Sequence, residues 1–94
     1  MPPLEVEFSP RFRANARALP PDRQEQIGQA VALVGEAFGK PHLHTGLGIR
    51  RLKGAYFEFR VGRDLRVVFK LNGSVVTLLL VGTHDAVQRF LKNL

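Results

Sequence analysis

The fold is decided by the stretch YFEFRVGRDLRVVFKL, residues 56–71. Apolar and polar side chains alternate on both sides of Gly62-Arg63-Asp64, and alternation with a period of two predicts β-strands. The three residues between the runs supply the turn of an antiparallel hairpin. This turn pairs Arg60 directly across from Arg66, with both arginines on the polar face. Two like charges directly opposite each other destabilise a sheet. Either each arginine extends its charged end into solvent, which the sequence alone slightly favours, or an anion bound between them offsets the cost.

The chain downstream extends this hairpin by a strand and a helix. Asn72-Gly73 predicts a two-residue turn, and Ser74 to Val81 is apolar enough for an interior strand. This register places Leu79 beside Arg66. A last helix follows, capped by Thr83, His84 or Asp85, with an apolar stripe of Val87, Phe90, Leu91 and Leu94.

The chain upstream predicts a strand, two helices, a loop and a short strand. Leu4, Val6 and Phe8 alternate with two glutamates, and Ser9-Pro10 then caps a short helix with Phe12 and Ala16 on one side. Pro20-Pro21 opens a second helix, which Gly39 and Pro41 end. Its stripe comprises Ile27, Ala30, Val31, Val34, Ala37 and Phe38. The loop is residues 40–48, and the short strand is Ile49 to Lys53.

These elements predict an α+β fold over a single domain, residues 1–94. An N-terminal strand and a helical hairpin pack on a small antiparallel sheet, and a C-terminal helix completes the fold. The chain has no cysteine, which excludes disulfides and thiolate metal sites. Its first residues do not resemble a signal peptide, and its apolar runs are too short to span a bilayer, so we expect a cytoplasmic protein.

The charge of the chain is concentrated in its central strands. The net charge is +6, and residues 50–70 carry seven basic side chains against Glu58 and Asp64. Such a positive field attracts polyanions, so nucleic acid, an acidic protein partner or both are indicated. His84 stands at the predicted start of a helix, where unpaired N–H groups favour a phosphate. An imidazole beside a phosphodiester is suited to general acid–base cleavage of RNA.

The central block resembles that of the RelE/ParE toxin superfamily. The resemblance lies in Arg50-Arg51-Leu52-Lys53-Gly54, in residues 56–62, in Leu65-Arg66-Val67-Val68-Phe69 and in Leu80-Val81-Gly82-Thr83-His84 before a final helix. It implies the toxin of a type II toxin–antitoxin system, an mRNA interferase. Such an enzyme cleaves mRNA, usually in the ribosomal A site, and so inhibits translation. The ribose 2′-hydroxyl attacks the adjacent phosphate and leaves a 2′,3′-cyclic phosphate, without a metal or other cofactor.

The resemblance also implies roles for four residues. Arg66 matches the phosphate-binding arginine, Arg60 a second assisting cation, and His84 the general acid or base. Glu58, where some members carry lysine, is either a base or a salt-bridge partner of Arg60. Further candidates for binding RNA are Arg50, Arg51, Lys53, Arg63, Lys70, Tyr56 and Phe90.

Phe90 departs from the RelE pattern, because several members carry a tyrosine there that stacks on a base. Phenylalanine can stack but cannot transfer a proton, and core packing competes for it. Two alternatives therefore stay open: a ParE-like inhibitor of DNA gyrase, and a catalytically inactive relative that only binds nucleic acid. The resemblance further implies a cognate antitoxin as partner. His42 and His44 could join His84 in a metal site, but no carboxylate near them in sequence supports it, so we expect none.

Overall fold

The computed structural model describes residues 5–37 and 48–94 as five strands and three helices. The strands are β1 (Glu5–Phe8), β2 (Arg50–Lys53), β3 (Tyr56–Val61), β4 (Leu65–Asn72) and β5 (Val75–Gly82). The helices are α1 (Pro10–Arg17), α2 (Pro21–Ala37) and α3 (His84–Lys92). Within these residues, no helix combines the length and apolar composition needed to cross a bilayer.

The strands form one sheet in the order β1-β5-β4-β3-β2. The four strands from β2 to β5 are antiparallel, as predicted, and β1 adds to β5 in parallel. The α+β class with a C-terminal helix is confirmed. The sheet is mixed rather than purely antiparallel, because the N-terminal strand enters it beside β5.

The two faces of the sheet carry separate apolar clusters. On one face, α1 and α2 bury Phe12, Ile27, Ala30 and Val34 against strand residues that include Phe59, Val67 and Phe69. On the other face, α3 packs Val87 against Val68 and Leu80. The predicted stripe of α2 is confirmed through Val34. In α3 the stripe ends at Leu91, because Leu94 follows the helix and is largely exposed.

Helix α1 lies along the half of β5 that β1 does not pair. β1 pairs β5 only over residues 75–78. Beyond that point, the Ser9 hydroxyl donates to the Leu79 carbonyl at 3.0 Å, and the Val81 N–H donates to Asn15 Oδ1 at 3.4 Å. The Ser9 hydroxyl also accepts from the Phe12 N–H and caps α1. The helix thus satisfies backbone groups that an open sheet edge would leave exposed.

The register between β4 and β5 differs from the predicted one. Asn72 pairs with Val75, so the two turn residues are Gly73 and Ser74, one position later than expected. Gly73 has φ +60°, the conformation that a type II′ turn requires at its first central position. A bulge between Val68 and Phe69 shifts the pairing again. Gly82, and not Leu79, therefore lies opposite Arg66.

Some predicted features lie outside the described residues. They are Leu4 of the first strand, Phe38, Gly39 and Pro41 at the end of the second helix, loop residues 40–47, and the histidines His42 and His44. The side chain of Ala37 is likewise outside what is described.

Candidate functional site

Three neighbouring strands bring Arg60, Arg66 and Gly82 into one row across the sheet. Arg60 pairs with Arg66 between β3 and β4, as predicted, and Arg66 pairs with Gly82 between β4 and β5. Neighbouring strands are about 4.8 Å apart, so the two arginines start from adjacent positions. Arg60 is exposed, and the Arg66 side chain is 26% exposed. The Arg60 side chain leans toward Gly48, just before β2, where an added Cβ would lie 2.8 Å from Arg60 Nε, whereas the Arg66 guanidinium bonds to Glu58.

His84 lies two residues after Gly82, the β5 member of this row. It is the first residue of α3, after Thr83, whose hydroxyl caps the helix by accepting from the Ala86 N–H at 3.3 Å. The imidazole is 60% exposed, and its Nδ1 lies 3.6 Å from Asp85 Oδ1. In the predicted register His84 followed the partner of Arg66 by five residues. The observed register shortens that separation to two, because Gly82 is the partner.

Glu58 is the buried charge of the site, at 1% exposure. Its Oε1 accepts from Arg50 Nε at 2.9 Å and from Arg66 Nη1 at 3.2 Å. Its other carboxylate oxygen, Oε2, is buried and has no hydrogen-bond partner among the described residues. The sequence suggested Arg60 as the salt-bridge partner of Glu58. The bridges instead run to Arg66, two positions away on β4, and to Arg50, its register partner on β2.

The charge balance of the cluster stays positive. Arg50 and Arg66 share one carboxylate, and Arg60 has no ion pair among the described residues. Glu58 lies on the same sheet face as the two opposed arginines and offsets part of their repulsion. The cluster therefore keeps an excess of positive charge that suits one phosphate group.

Tyr56 and Phe90 lie at the other end of the same sheet face. Tyr56 pairs with Lys70 and lies four positions before Arg60, a distance of about 13 Å along a strand. Its ring meets Phe90 edge-on at 5.9 Å, and Lys70 Nζ lies 5.7 Å from the centre of the Tyr56 ring. The Arg11 guanidinium lies 5.8 Å from the centre of the Phe90 ring. Phe90 thus packs between neighbours, apart from the arginine row.

The remaining cationic candidates are dispersed. Arg51 is exposed, and its guanidinium lies 5.4 Å from the Phe57 ring, on the sheet face opposite to Glu58. Lys53 is exposed at the end of β2, and Arg63 is exposed in the turn between β3 and β4. Their assignment to RNA binding stays a prediction. The structure joins Arg50, Glu58 and Arg66 by ion pairs. Arg60 is next to Arg66 by strand register, and His84 lies two residues after Gly82.

Sequence reasoning missed two contacts here. The bridge from Arg50 to Glu58 depends on the register of β2 against β3, and no turn signal between these strands fixed it. The contact of Arg11 with Phe90 joins α1 to α3 around the edge of β5. A charged residue between two aromatic residues, as Glu58 is between Phe57 and Phe59, was the available signal for a buried ion pair.

The described part of the chain contains no group of three or more His, Asp or Glu side chains that could hold a metal ion. What it does contain is a pair of guanidinium groups, a helix N-terminus and an exposed imidazole near one row of the sheet. Guanidinium forks and helix N-termini are both suited to phosphate oxygens. The arrangement is a candidate phosphodiester site.

Comparison with solved structures assigns the fold to the RelE type, which confirms the fold that the sequence resemblance implied. The chain is similar to the archaeal RelE–RelB complex of Pyrococcus horikoshii, with a TM-score of 0.72 at 16% identity, over 87% of this chain and 96% of that one. It is similar to E. coli toxin RelE in the free state, with a TM-score of 0.72 at 19% identity, over 99% of both chains. E. coli YafQ aligns with a TM-score of 0.64 at 15% identity, over 89% and 97% of the two chains. No family model and no curated protein sequence matches the chain.

Proposed function

We propose that this chain is the toxin of a type II toxin–antitoxin pair, and that it is a metal-independent endoribonuclease that cleaves mRNA at the ribosome. The observation that supports this most is the row Arg60–Arg66–Gly82 with His84 two residues beyond it. The toxin assignment draws further support from the similarity to RelE and YafQ structures over nearly the whole chain.

The proposed reaction uses the RNA's own nucleophile. The ribose 2′-oxygen attacks the adjacent phosphorus, the bond from phosphorus to the 5′-oxygen breaks, and a 2′,3′-cyclic phosphate remains. Arg66, with Arg60, stabilises the negative charge that develops on the phosphate oxygens. His84 exchanges a proton with one of the two reacting oxygens, as general acid or general base. Its exposure of 60% leaves the imidazole accessible to RNA.

We further propose that an antitoxin protein binds this chain. The solved complexes of RelE-type chains from Pyrococcus horikoshii and Methanococcus jannaschii each contain RelB. The net charge of +6 suits an acidic or amphipathic partner segment that crosses the basic sheet face. The same segment would compete with RNA for that face.

The proposal is tested by incubating purified protein with a single-stranded RNA in excess EDTA and analysing the new 3′ ends. Cleavage with cyclic-phosphate ends is the expected result. Arg66→Ala should lower the rate about 10²- to 10³-fold, because it removes a donor to the developing charge. Arg17→Ala is the matched control, since Arg17 is an exposed arginine in the last turn of α1 and outside the candidate site, and it should keep most of the activity.

A second arm covers dependence on the ribosome. If free RNA is not cut, the same variants are compared on translating ribosomes, with primer extension to locate cuts in the mRNA. Absence of cuts in both assays would overturn the nuclease proposal. DNA damage and filamentation on induction would then identify a gyrase inhibitor, and unaffected growth an inactive relative.

A further inference from the structure

We propose that Glu58 is a positioning residue for Arg66. Its carboxylate holds one edge of the Arg66 guanidinium so that the other edge faces the phosphate, and it takes no part in proton transfer. The inference deepens the proposed function, because the ligand of Arg66 is taken to be an RNA phosphate.

The burial of Glu58 argues against contact with substrate. The residue is 1% exposed, between two aromatic neighbours in sequence and under the side chains of Arg50 and Arg66. A general base must come within hydrogen-bond reach of the proton that it removes. The 2′-hydroxyl of a bound RNA cannot reach a covered carboxylate, so Glu58 acts on the reaction through Arg66.

The geometry of the ion pair between Glu58 and Arg66 fits a carboxylate that positions the guanidinium rather than one that competes with phosphate for it. Only Nη1 of Arg66 donates to Glu58, at 3.2 Å, and it donates to a single carboxylate oxygen. A carboxylate that takes the place of a phosphate typically binds the guanidinium through two parallel hydrogen bonds. Here the other donors of Arg66 make no hydrogen bond to a described residue. They stay available for a phosphate while the group is held in place.

Arg66 needs a positioning residue because of Arg60. It is the direct register partner of Arg66, and like charges in that position repel each other. Without the Glu58 carboxylate, no described residue forms an ion pair that holds the flexible Arg66 side chain on the sheet. The fixed negative charge of Glu58 keeps Arg66 on the sheet in the absence of RNA, which lowers the conformational cost of binding.

Glu58 Oε2 has no hydrogen-bond partner among the described residues, so the burial of this carboxylate costs free energy. Replacing a buried ion pair by neutral side chains of similar volume is often neutral or stabilising. The partners Arg50 and Arg66 are 62% and 26% exposed, so both can turn to water when the carboxylate is removed. A positioning role therefore predicts that function falls while stability does not.

The experiment compares wild type with Glu58→Gln, which keeps the shape and removes the charge. The control is Asp64→Asn, which removes an equal charge from an exposed carboxylate that bridges to Arg23 at 2.8 Å. Three quantities are measured: the affinity for a fluorescent single-stranded DNA oligonucleotide, which lacks the 2′-hydroxyl and cannot be cleaved, the kcat and KM of RNA cleavage, and the urea midpoint of unfolding.

The expected result for Glu58→Gln is an affinity lower by about tenfold, as for a misplaced binding group, with an unchanged or higher urea midpoint. Its kcat should fall more than its KM rises, because Arg66 acts mainly on the transition state. Both variants raise the net charge by one, which by itself favours binding of a polyanion. Asp64→Asn should therefore bind the oligonucleotide as tightly as wild type or more tightly.

Three results would overturn the inference. They are equal or tighter binding by Glu58→Gln, a loss of affinity accompanied by a lower urea midpoint, and a wild-type protein without affinity for the oligonucleotide. Failure of the proposed function gives a different pattern. A wild type that binds the oligonucleotide in a Glu58-dependent way, yet cleaves RNA neither free nor on ribosomes, would refute the nuclease and leave the positioning role intact.

Discussion

Single residues decide the chemistry of this chain, and the most consequential is the buried Glu58. The pairing of Arg60 with Arg66 was predictable, because a three-residue turn between alternating runs fixes the register of a hairpin. The partners of Glu58 were not, because its bridge to Arg50 depends on a bulged pairing with β2. The pairing of the two arginines could thus be predicted from the sequence, whereas the ion pairs of Glu58 with Arg50 and Arg66 could not.

The stability of the site should be asymmetric between Glu58 and Arg66. Arg66→Met leaves a buried carboxylate with Arg50 as its remaining described partner, and we expect a loss of about 1–3 kcal/mol in the free energy of unfolding. Glu58→Gln in the same background removes that charge and should recover most of the loss. Urea denaturation of the two single variants and the double variant gives the coupling. Additive effects would contradict the proposed ion pair.

At the scale of elements, the way β5 meets its neighbours could not be derived from sequence. The turn at Gly73-Ser74 and the bulge at Leu79 together move the register by three residues relative to the predicted one. Both alternatives preserve the apolar pattern of β5, since almost every residue of this strand is apolar. The parallel entry of β1 was similarly hidden, because alternation predicts a strand but not its partner.

Helix α1 should owe its position to two hydrogen bonds to the open edge of β5. Ser9→Ala removes both the helix cap and the bond to the Leu79 carbonyl, and should cost about 1–2 kcal/mol of unfolding free energy. Thr83→Ala removes only a cap, that of α3, and should cost less. Thermal or urea unfolding measures both. Equal losses would show that the contact of Ser9 with the strand contributes nothing.

Alanine substitutions at two glycines should change the stability of the protein in opposite directions. An alanine Cβ at Gly82 would lie 2.9 Å from the Ala86 Cβ, so Gly82→Ala should push α3 from the sheet and cost about 1–3 kcal/mol. At Gly28, inside α2, the same atom meets no described atom beyond its own helix within 4 Å, and Gly28→Ala should stabilise by about 0.5–1 kcal/mol. Urea midpoints test both signs, and destabilisation by Gly28→Ala would refute the described packing of α2.

At the scale of the whole molecule, the charge predicts how binding responds to salt. The affinity for a single-stranded oligonucleotide should fall with salt, and Arg66→Ala should flatten the log–log slope by about 0.7, the value for one phosphate contact on a single strand. Arg17→Ala in α1 makes the same change in net charge away from the sheet face. It should leave the slope unaltered. Equal slope changes in both variants would mean that binding is diffuse rather than centred on the row.

The order of elements and the α+β class follow from sequence patterns because turns, caps and alternation are local signals. The proximity of Arg66 to the start of α3 depends on the register between β4 and β5. That register is set by the turn position and by a bulge, neither of which a local sequence pattern predicts. The proposed function depends on that proximity, because it requires a phosphate bound by Arg66 within reach of Arg60 and His84.

The most direct test is the cleavage of RNA by wild type and His84→Ala, in EDTA, on free RNA and on translating ribosomes. The account predicts cuts with 2′,3′-cyclic phosphate ends by wild type, and a rate lower by about 10²- to 10⁴-fold for the variant at an unchanged urea midpoint. Cleavage by His84→Ala at the wild-type rate, or 5′-phosphate and 3′-hydroxyl ends that require a metal, would contradict it.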